Sequence, residues 1–406
     1  MYGEVRKSLE TAQLVFDVEH HVKEAPNSEG KCSNDFQSTG KICCQDLKCK
    51  FAITPSEVSI FNSVKDETTI FHLPPCLQLV PQSCSSANLV NQTELHLRIK
   101  VLDLKSVEIV NYEDEWTLTD GQQACIACQR CGNEITRKSL KKVIPMPSSD
   151  WEGVMEELWC CRSKDVAGVP PVLESIPEDD ECLSGYFEII LSPTQLIWET
   201  VTIDDPQESA IPKKSSKVYK TVHCSRCRSC LGKALLADKK NEITAVHLWK
   251  CWTILHQNEI TNIRPSSNLE YLVTSYIKDV CKQQVCFKFI VESEDHKAQI
   301  LLWLVSPDSL LLWSDEPEML KDERNRSARN MNIQCISIMK VLYQTCWDDK
   351  GQKMNDEWSH DMMVHSFILP LEACYQLAEI LTQSTHCTPK SMRSTNSLMI
   401  GYLKTS

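Results

Sequence analysis

Two short cysteine clusters, far apart in the chain, carry the clearest chemistry. The first is Cys128-Gln129-Arg130-Cys131, followed by Gly132, and the second is Cys224-Ser225-Arg226-Cys227. Each reads C-x-x-C. Two such knuckles are the usual way to give four thiolates to one tetrahedral zinc. A two-residue spacer lets one tight turn present both sulfurs to the same ion, and a glycine after the second cysteine tolerates left-handed backbone. Cys128, Cys131, Cys224 and Cys227 are therefore the expected ligands of a structural zinc. Such an ion would clasp the long stretch between the knuckles. Cys125 and Cys230 extend both clusters to C-x-x-C-x-x-C, so either could replace a neighbour as ligand.

Other cysteines suggest different chemistry. Trp159-Cys160-Cys161-Arg162 holds adjacent thiols whose side chains diverge, which suits one buried and one exposed sulfur. An exposed thiolate beside Arg162 would have a lowered pKa and could attack or coordinate. Cys346 follows a strand-like run, Leu342-Tyr343-Gln344-Thr345, and could be a nucleophile at a strand end or a plain loop cysteine. Cys32, Cys43, Cys44 and Cys49 lie in or beside a polar stretch and match no zinc spacing. Nucleotide-binding, serine-hydrolase and zincin motifs are missing from the sequence.

The elements that must hold these residues change character along the chain. Residues 1–120 read mainly as strands, and residues 95–101 alternate apolar and polar, as a half-buried strand does. Residues 203–217 read as a surface loop. From about 240 longer apolar elements begin. Ser267-Asn268-Leu269-Glu270 is a capping-box signature. Leu269, Leu272, Val273, Tyr276, Ile277 and Val280 follow it at helical spacing. Strands are expected at 287–291, 299–305, 310–313 and 335–343, with a turn at Pro307-Asp308. A last helix runs from Pro370 to about Thr382, with Leu371, Cys374, Leu377 and Leu381 on one face. The expected fold class is α+β: a β-rich N-terminal domain, residues 1–235, clasped by zinc, and an α+β C-terminal domain, residues 240–406.

Composition limits the function. The 406 residues carry a formal net charge of −12, against the basic face that nucleic-acid binding needs. Apolar residues make up 42%, charged residues 24%, and no run reaches the roughly 18 apolar residues of a membrane span. The 22 cysteines fall below the roughly 8–10% of a disulfide scaffold. With no signal-peptide pattern at the start, reduced thiols and a cytoplasmic location, with the nucleus as a second, are expected.

Several runs together resemble a known family. They are Cys128-Gln129-Arg130-Cys131-Gly132, then Val143-Ile144-Pro145-Met146-Pro147-Ser148-Ser149-Asp150-Trp151, then Trp159-Cys160-Cys161. Cys224-Ser225-Arg226-Cys227, Ile300-Leu301-Leu302-Trp303-Leu304 and Lys340-Val341-Leu342-Tyr343-Gln344 add to them. This order is similar to that of the HECT-like ubiquitin ligase family. The resemblance implies an E3 ubiquitin-protein ligase, a transferase whose partners are ubiquitin and a ubiquitin-conjugating enzyme (E2). The family's E2-binding stretch falls on about 260–281, which puts Leu269, Leu272, Val273, Tyr276, Ile277 and Val280 at the E2. A thioester would fall to Cys346. The resemblance also implies an alternative. The segment from Pro145 to Cys161 is similar to one used by an assembly chaperone of the Integrator endonuclease, where a cysteine caps the nuclease zinc ions. Here the partner would be the 73 kDa endonuclease subunit of the pre-mRNA cleavage and polyadenylation machinery, with Cys161 as capping thiolate and Cys160 beside it. A soft thiolate is a good zinc ligand and would exclude substrate.

Overall fold

The computed structural model describes residues 1–18, 41–43, 49–63, 67–91, 93–104, 118, 123–137, 140–146, 177–204, 218–237, 242–257, 268–314 and 328–405. Among them the chain is β-rich, with three α-helices: α1 (Leu269–Gln284), α2 (Asp349–Trp358) and α3 (Leu371–His386). The described strands form a large sheet, a seven-stranded sheet and a two-stranded ribbon. No helix among the described residues is long and apolar enough to cross a membrane.

The spine of the large sheet is the antiparallel pair Ala298–Ser314 and Ala328–Thr345. The expected turn at Pro307-Asp308 is not made. The strand runs straight through, with register shifts between Leu304 and Ser306 and between Ser306 and Ser309. Proline cannot donate to a ladder, so inside a sheet it sits at a bulge or an edge. Leu310–Trp313 keep the same partner strand as Ile300–Leu304, which leaves the chain no reason to reverse.

The strand Tyr2–Arg6 pairs with residues 309–313 of this spine on one side and with Thr11–Asp17 on the other. Glu94–Leu104 comes next. The alternation read at 95–101 belongs to this strand: Leu95, Leu97, Ile99 and Val101 are buried with Val5, Leu14, Phe16 and Leu312. The division expected near residue 240 therefore does not separate the sheets. Strands from both ends of the chain share one ladder and one core, because their apolar faces cover each other.

The seven-stranded sheet runs in the order Lys142–Pro145, Glu181–Ser184, Glu188–Leu191, Ile243–Trp249, Cys230–Leu236, Val218–Cys224, Val201–Asp204. Phe187, in the turn before Glu188, leaves this sheet and enters the helical core. It stacks on Phe367 with ring centroids 5.2 Å apart and packs on Tyr276 at 5.0 Å. That core also takes the inner faces of α1 and α3.

α1 is capped one residue later than the sequence suggests. Asn268 Oδ1 accepts from the Glu270 amide at 3.1 Å. The Glu270 carboxylate accepts the Lys404 amide at 3.0 Å and so ties the helix to the strand Leu398–Lys404, while Ser267 lies outside the described residues. In α3, Cys374, Leu377 and Leu381 face the core as expected, whereas Leu371 is 42% exposed.

Candidate metal centre

The two knuckles have the same backbone fold. The strand Ala124–Cys128 ends in the first, where the Cys128 amide donates to the Asn133 carbonyl at 2.8 Å and the Gly132 amide donates back to the Cys128 carbonyl at 2.8 Å. In the second, the Cys224 amide donates to the Ser229 carbonyl and the Arg228 amide to the Cys224 carbonyl, both at 2.9 Å. The residue after each second cysteine is left-handed: Gly132 at φ 68° and Arg228 at φ 64°. Glycine meets this need without a Cβ penalty, and Arg228 does not.

Cross-links set the knuckles against each other. Asn133 Nδ2 donates to the Thr200 carbonyl at 3.3 Å and lies 3.6 Å from Cys224 Sγ. Arg226 Nη1 donates to the Cys131 carbonyl at 3.4 Å. The result is a close set of sulfurs. Cys128 and Cys227 are 3.6 Å apart, as are Cys131 and Cys224, and all four sulfurs lie within 4.8 Å of one another. Metal–sulfur bonds of about 2.3 Å on a tetrahedron give sulfur–sulfur edges of about 3.8 Å, so the set fits one ion. Burial pushes the Cys128 thiol up to about 12 and raises Cys131. For Cys227 burial acts in the same direction but is outweighed by hydrogen bonds, first from Ser229, which bring it down to about 6. Four sulfurs held this close are a set that a cation would complete.

The structure thus brings together Cys128, Cys131, Cys224 and Cys227, and neither Cys125 nor Cys230 joins them. Cys125 lies an odd number of residues from Cys128 on one strand and faces the other way. Cys230 opens the following strand, Cys230–Leu236.

The remaining candidates fare differently. Cys346 does follow its strand, but it is 7% exposed and packed with Ile290, Leu301 and Trp358. Burial pushes its thiol up to about 12, helped by the charge of Asp348. That is a correction: a thiol so placed is neither accessible nor ionised. The α1 stripe needs the same correction. Leu269, Leu272, Val273, Tyr276, Ile277 and Val280 are all buried in the chain's own core and offer no face to an E2. Cys160 and Cys161 lie outside the described residues, as do Cys32 and Cys44.

Sequence reasoning missed one surface feature. Trp347 and Tyr375 are 52% and 49% exposed and meet edge to face, with ring centroids 5.4 Å apart. Trp347 Nε1 donates to Gln299 Oε1 at 3.0 Å, which fixes the indole. Leu371 lies one turn before Tyr375 on α3. The aromatics were visible in the sequence, but their meeting depends on how α3 docks beside the strand end.

Comparison with known proteins covers nearly the whole chain. A Mus musculus protein named as an E3 ubiquitin-protein ligase is 28% identical over 364 residues, spanning 87% of this chain and 90% of the mouse protein. The Homo sapiens protein of the same name is 25% identical over 379 residues, spanning 88% and 92%. The family described as HECT-like ubiquitin-conjugating enzyme (E2)-binding matches residues 4–400. The chain belongs to this HECT-like, E2-binding family.

Proposed function

We propose that this protein is an E3 ubiquitin ligase that holds a charged E2 and promotes transfer directly, without a thioester on Cys346. The carrying observation is the match of residues 4–400 to an E2-binding family. The buried, neutral Cys346 argues for direct transfer, because covalent catalysis needs an accessible, activated nucleophile. The E2 contact falls on Trp347, Tyr375 and Leu371 in this reading, since exposed aromatics are typical interface anchors and the α1 stripe is occupied. Zinc is the ion we infer for the four thiolates. Its role is structural, as four protein ligands leave no position for substrate.

The test is discharge of ubiquitin from an E2 thioester by wild-type protein, Trp347→Ala/Tyr375→Ala and Cys346→Ala. Wild type is expected to speed discharge. The aromatic double variant should lose about tenfold or more, as hot-spot truncations of 2 kcal/mol or above do. Cys346→Ala should match wild type. No acceleration with any E2 of a broad panel removes the ligase reading. Loss of discharge in a folded Cys346→Ala variant replaces direct transfer with a relay.

A further inference from the structure

A second group of metal-binding side chains lies on the opposite face of the strand that carries Cys128. Ala124–Cys128 pairs antiparallel with Thr253–Gln257, and Cys125 stands directly across from His256. On the other side an isolated bridge sets Ala127 across from Glu134. Side chains alternate along a strand, so Cys125 and Ala127 share one face while Ile126 and Cys128 share the other. His256 and Glu134 follow their partners to the Cys125 face. Ala127 carries only a methyl group, which leaves Glu134 room to lean towards Cys125. Cys125 Sγ, a Glu134 carboxylate oxygen and a His256 ring nitrogen all lie within 4.8 Å of one another.

We propose that Cys125, Glu134 and His256 form a second zinc site, distinct from the four-cysteine centre. Three features support it. The donors are a thiolate, an imidazole and a carboxylate, the set zinc accepts at sulfur, nitrogen and oxygen. The charges balance: a thiolate and a carboxylate neutralise a divalent cation, which lowers the cost of holding it beside a buried strand. The backbone fixes all three ligands, since each sits on a residue held in a bridge or ladder pair. Three protein ligands leave a fourth position open to water or to a donor from another molecule, as in zinc sites that bind exogenous groups. A cysteine–histidine–carboxylate nucleophile is the rival reading of the same residues. Burial decides against it: Cys125 is fully buried, while Glu134 and His256 are half-buried, so an ion can be reached where the sulfur cannot. Cys125 and Cys128 are three residues apart on one strand, so the two centres would be on the order of 10 Å from each other.

The experiment is metal counting on the full chain by native mass spectrometry, with wild type, Glu134→Gln, His256→Gln and Cys131→Ser. Wild type should carry about two zinc ions, one more than a single four-thiolate site holds. Glu134→Gln and His256→Gln should each lose one and keep the knuckle ion. Cys131→Ser should lose the other. One zinc in wild type, or two in both triad variants, overturns the proposal. Cobalt titration of wild type gives a check that needs no variant. The triad equivalent should show sulfur-to-cobalt charge transfer about fourfold weaker than the knuckle equivalent, as one thiolate replaces four. Two equivalents of equal four-thiolate intensity would likewise overturn it.

Discussion

At the scale of single residues, the two knuckles pose one backbone problem and solve it with different residues. Gly132 and Arg228 occupy matching left-handed positions. A Cβ built on Gly132 meets nothing within 4 Å, so the cost of a side chain there is backbone strain alone. Gly132→Ala should therefore lower stability by about 1–2 kcal/mol, the penalty for a left-handed L-residue. Denaturant melts of the metal-loaded protein check this, with Arg228→Ala as the control that should change little, because that position already bears the strain. A neutral Gly132→Ala would mean that the first knuckle relaxes away from φ 68°. The metal set was legible in the sequence because a C-x-x-C turn is local. Gly132 after Cys131 favoured Cys128 over Cys125, and strand parity agrees with that choice, since Cys125 faces the other way. Cys346 was placed correctly at a strand end, but it is buried with Ile290, Leu301 and Trp358, the last on α2, a helix whose few apolar residues gave no periodic signal.

At the scale of elements, what the sequence disclosed followed from whether the deciding contact was local. Alternation at 95–101 identified a strand because one face is core and the other is not. Pro307 suggested a turn by its own preference, yet pairing on both sides of it kept the chain in one ladder through two register shifts. The α1 stripe gave the helix but not its partner, because an apolar face looks the same whether it meets its own sheet or another protein. One tertiary tie yields a pH dependence. The Glu94 carboxylate, at the start of the strand Glu94–Leu104, accepts the hydroxyl of Ser391 and lies 3.2 Å from His96 Nε2. Burial acts to raise its pKa, but these hydrogen bonds outweigh it and the net direction is down from 4.5. A depressed carboxylate contributes stability that is present above the unfolded value and lost as pH falls through the folded one. Glu94→Gln should therefore cost on the order of 1–2 kcal/mol at neutral pH. The gap to wild type should narrow once the pH drops below 4.5. Thermal melts across that range test it, and a gap that does not depend on pH would show that Glu94 acts through packing alone.

At the scale of the whole molecule, the two ends of the chain build one structure. Lys340 Nζ donates to Glu4 Oε2 at 2.6 Å, Tyr402 donates to the same oxygen at 3.2 Å, and Tyr2 donates to the Tyr402 hydroxyl at 2.7 Å. Glu4 and Lys340 are both buried. Removing one partner leaves a buried charge uncompensated, so Glu4→Ala should cost about 3–5 kcal/mol, while Glu4→Met/Lys340→Met should recover most of it. The same geometry bears on how the chain divides. Residues 240–406 contain both spine strands but not Tyr2–Arg6, which covers residues 309–313. That fragment would present an uncovered strand edge, an exposed apolar face where Val5 and Leu14 belong, and an unpaired Lys340. Expressed alone it should show no cooperative unfolding transition and should aggregate. Mixed with residues 1–239 it should regain a sharp transition and resistance to proteolysis. A cooperative melt of the fragment by itself would mean that the long hairpin and its helices are self-sufficient. The N-terminal strands would then be an addition to a finished core rather than part of its making.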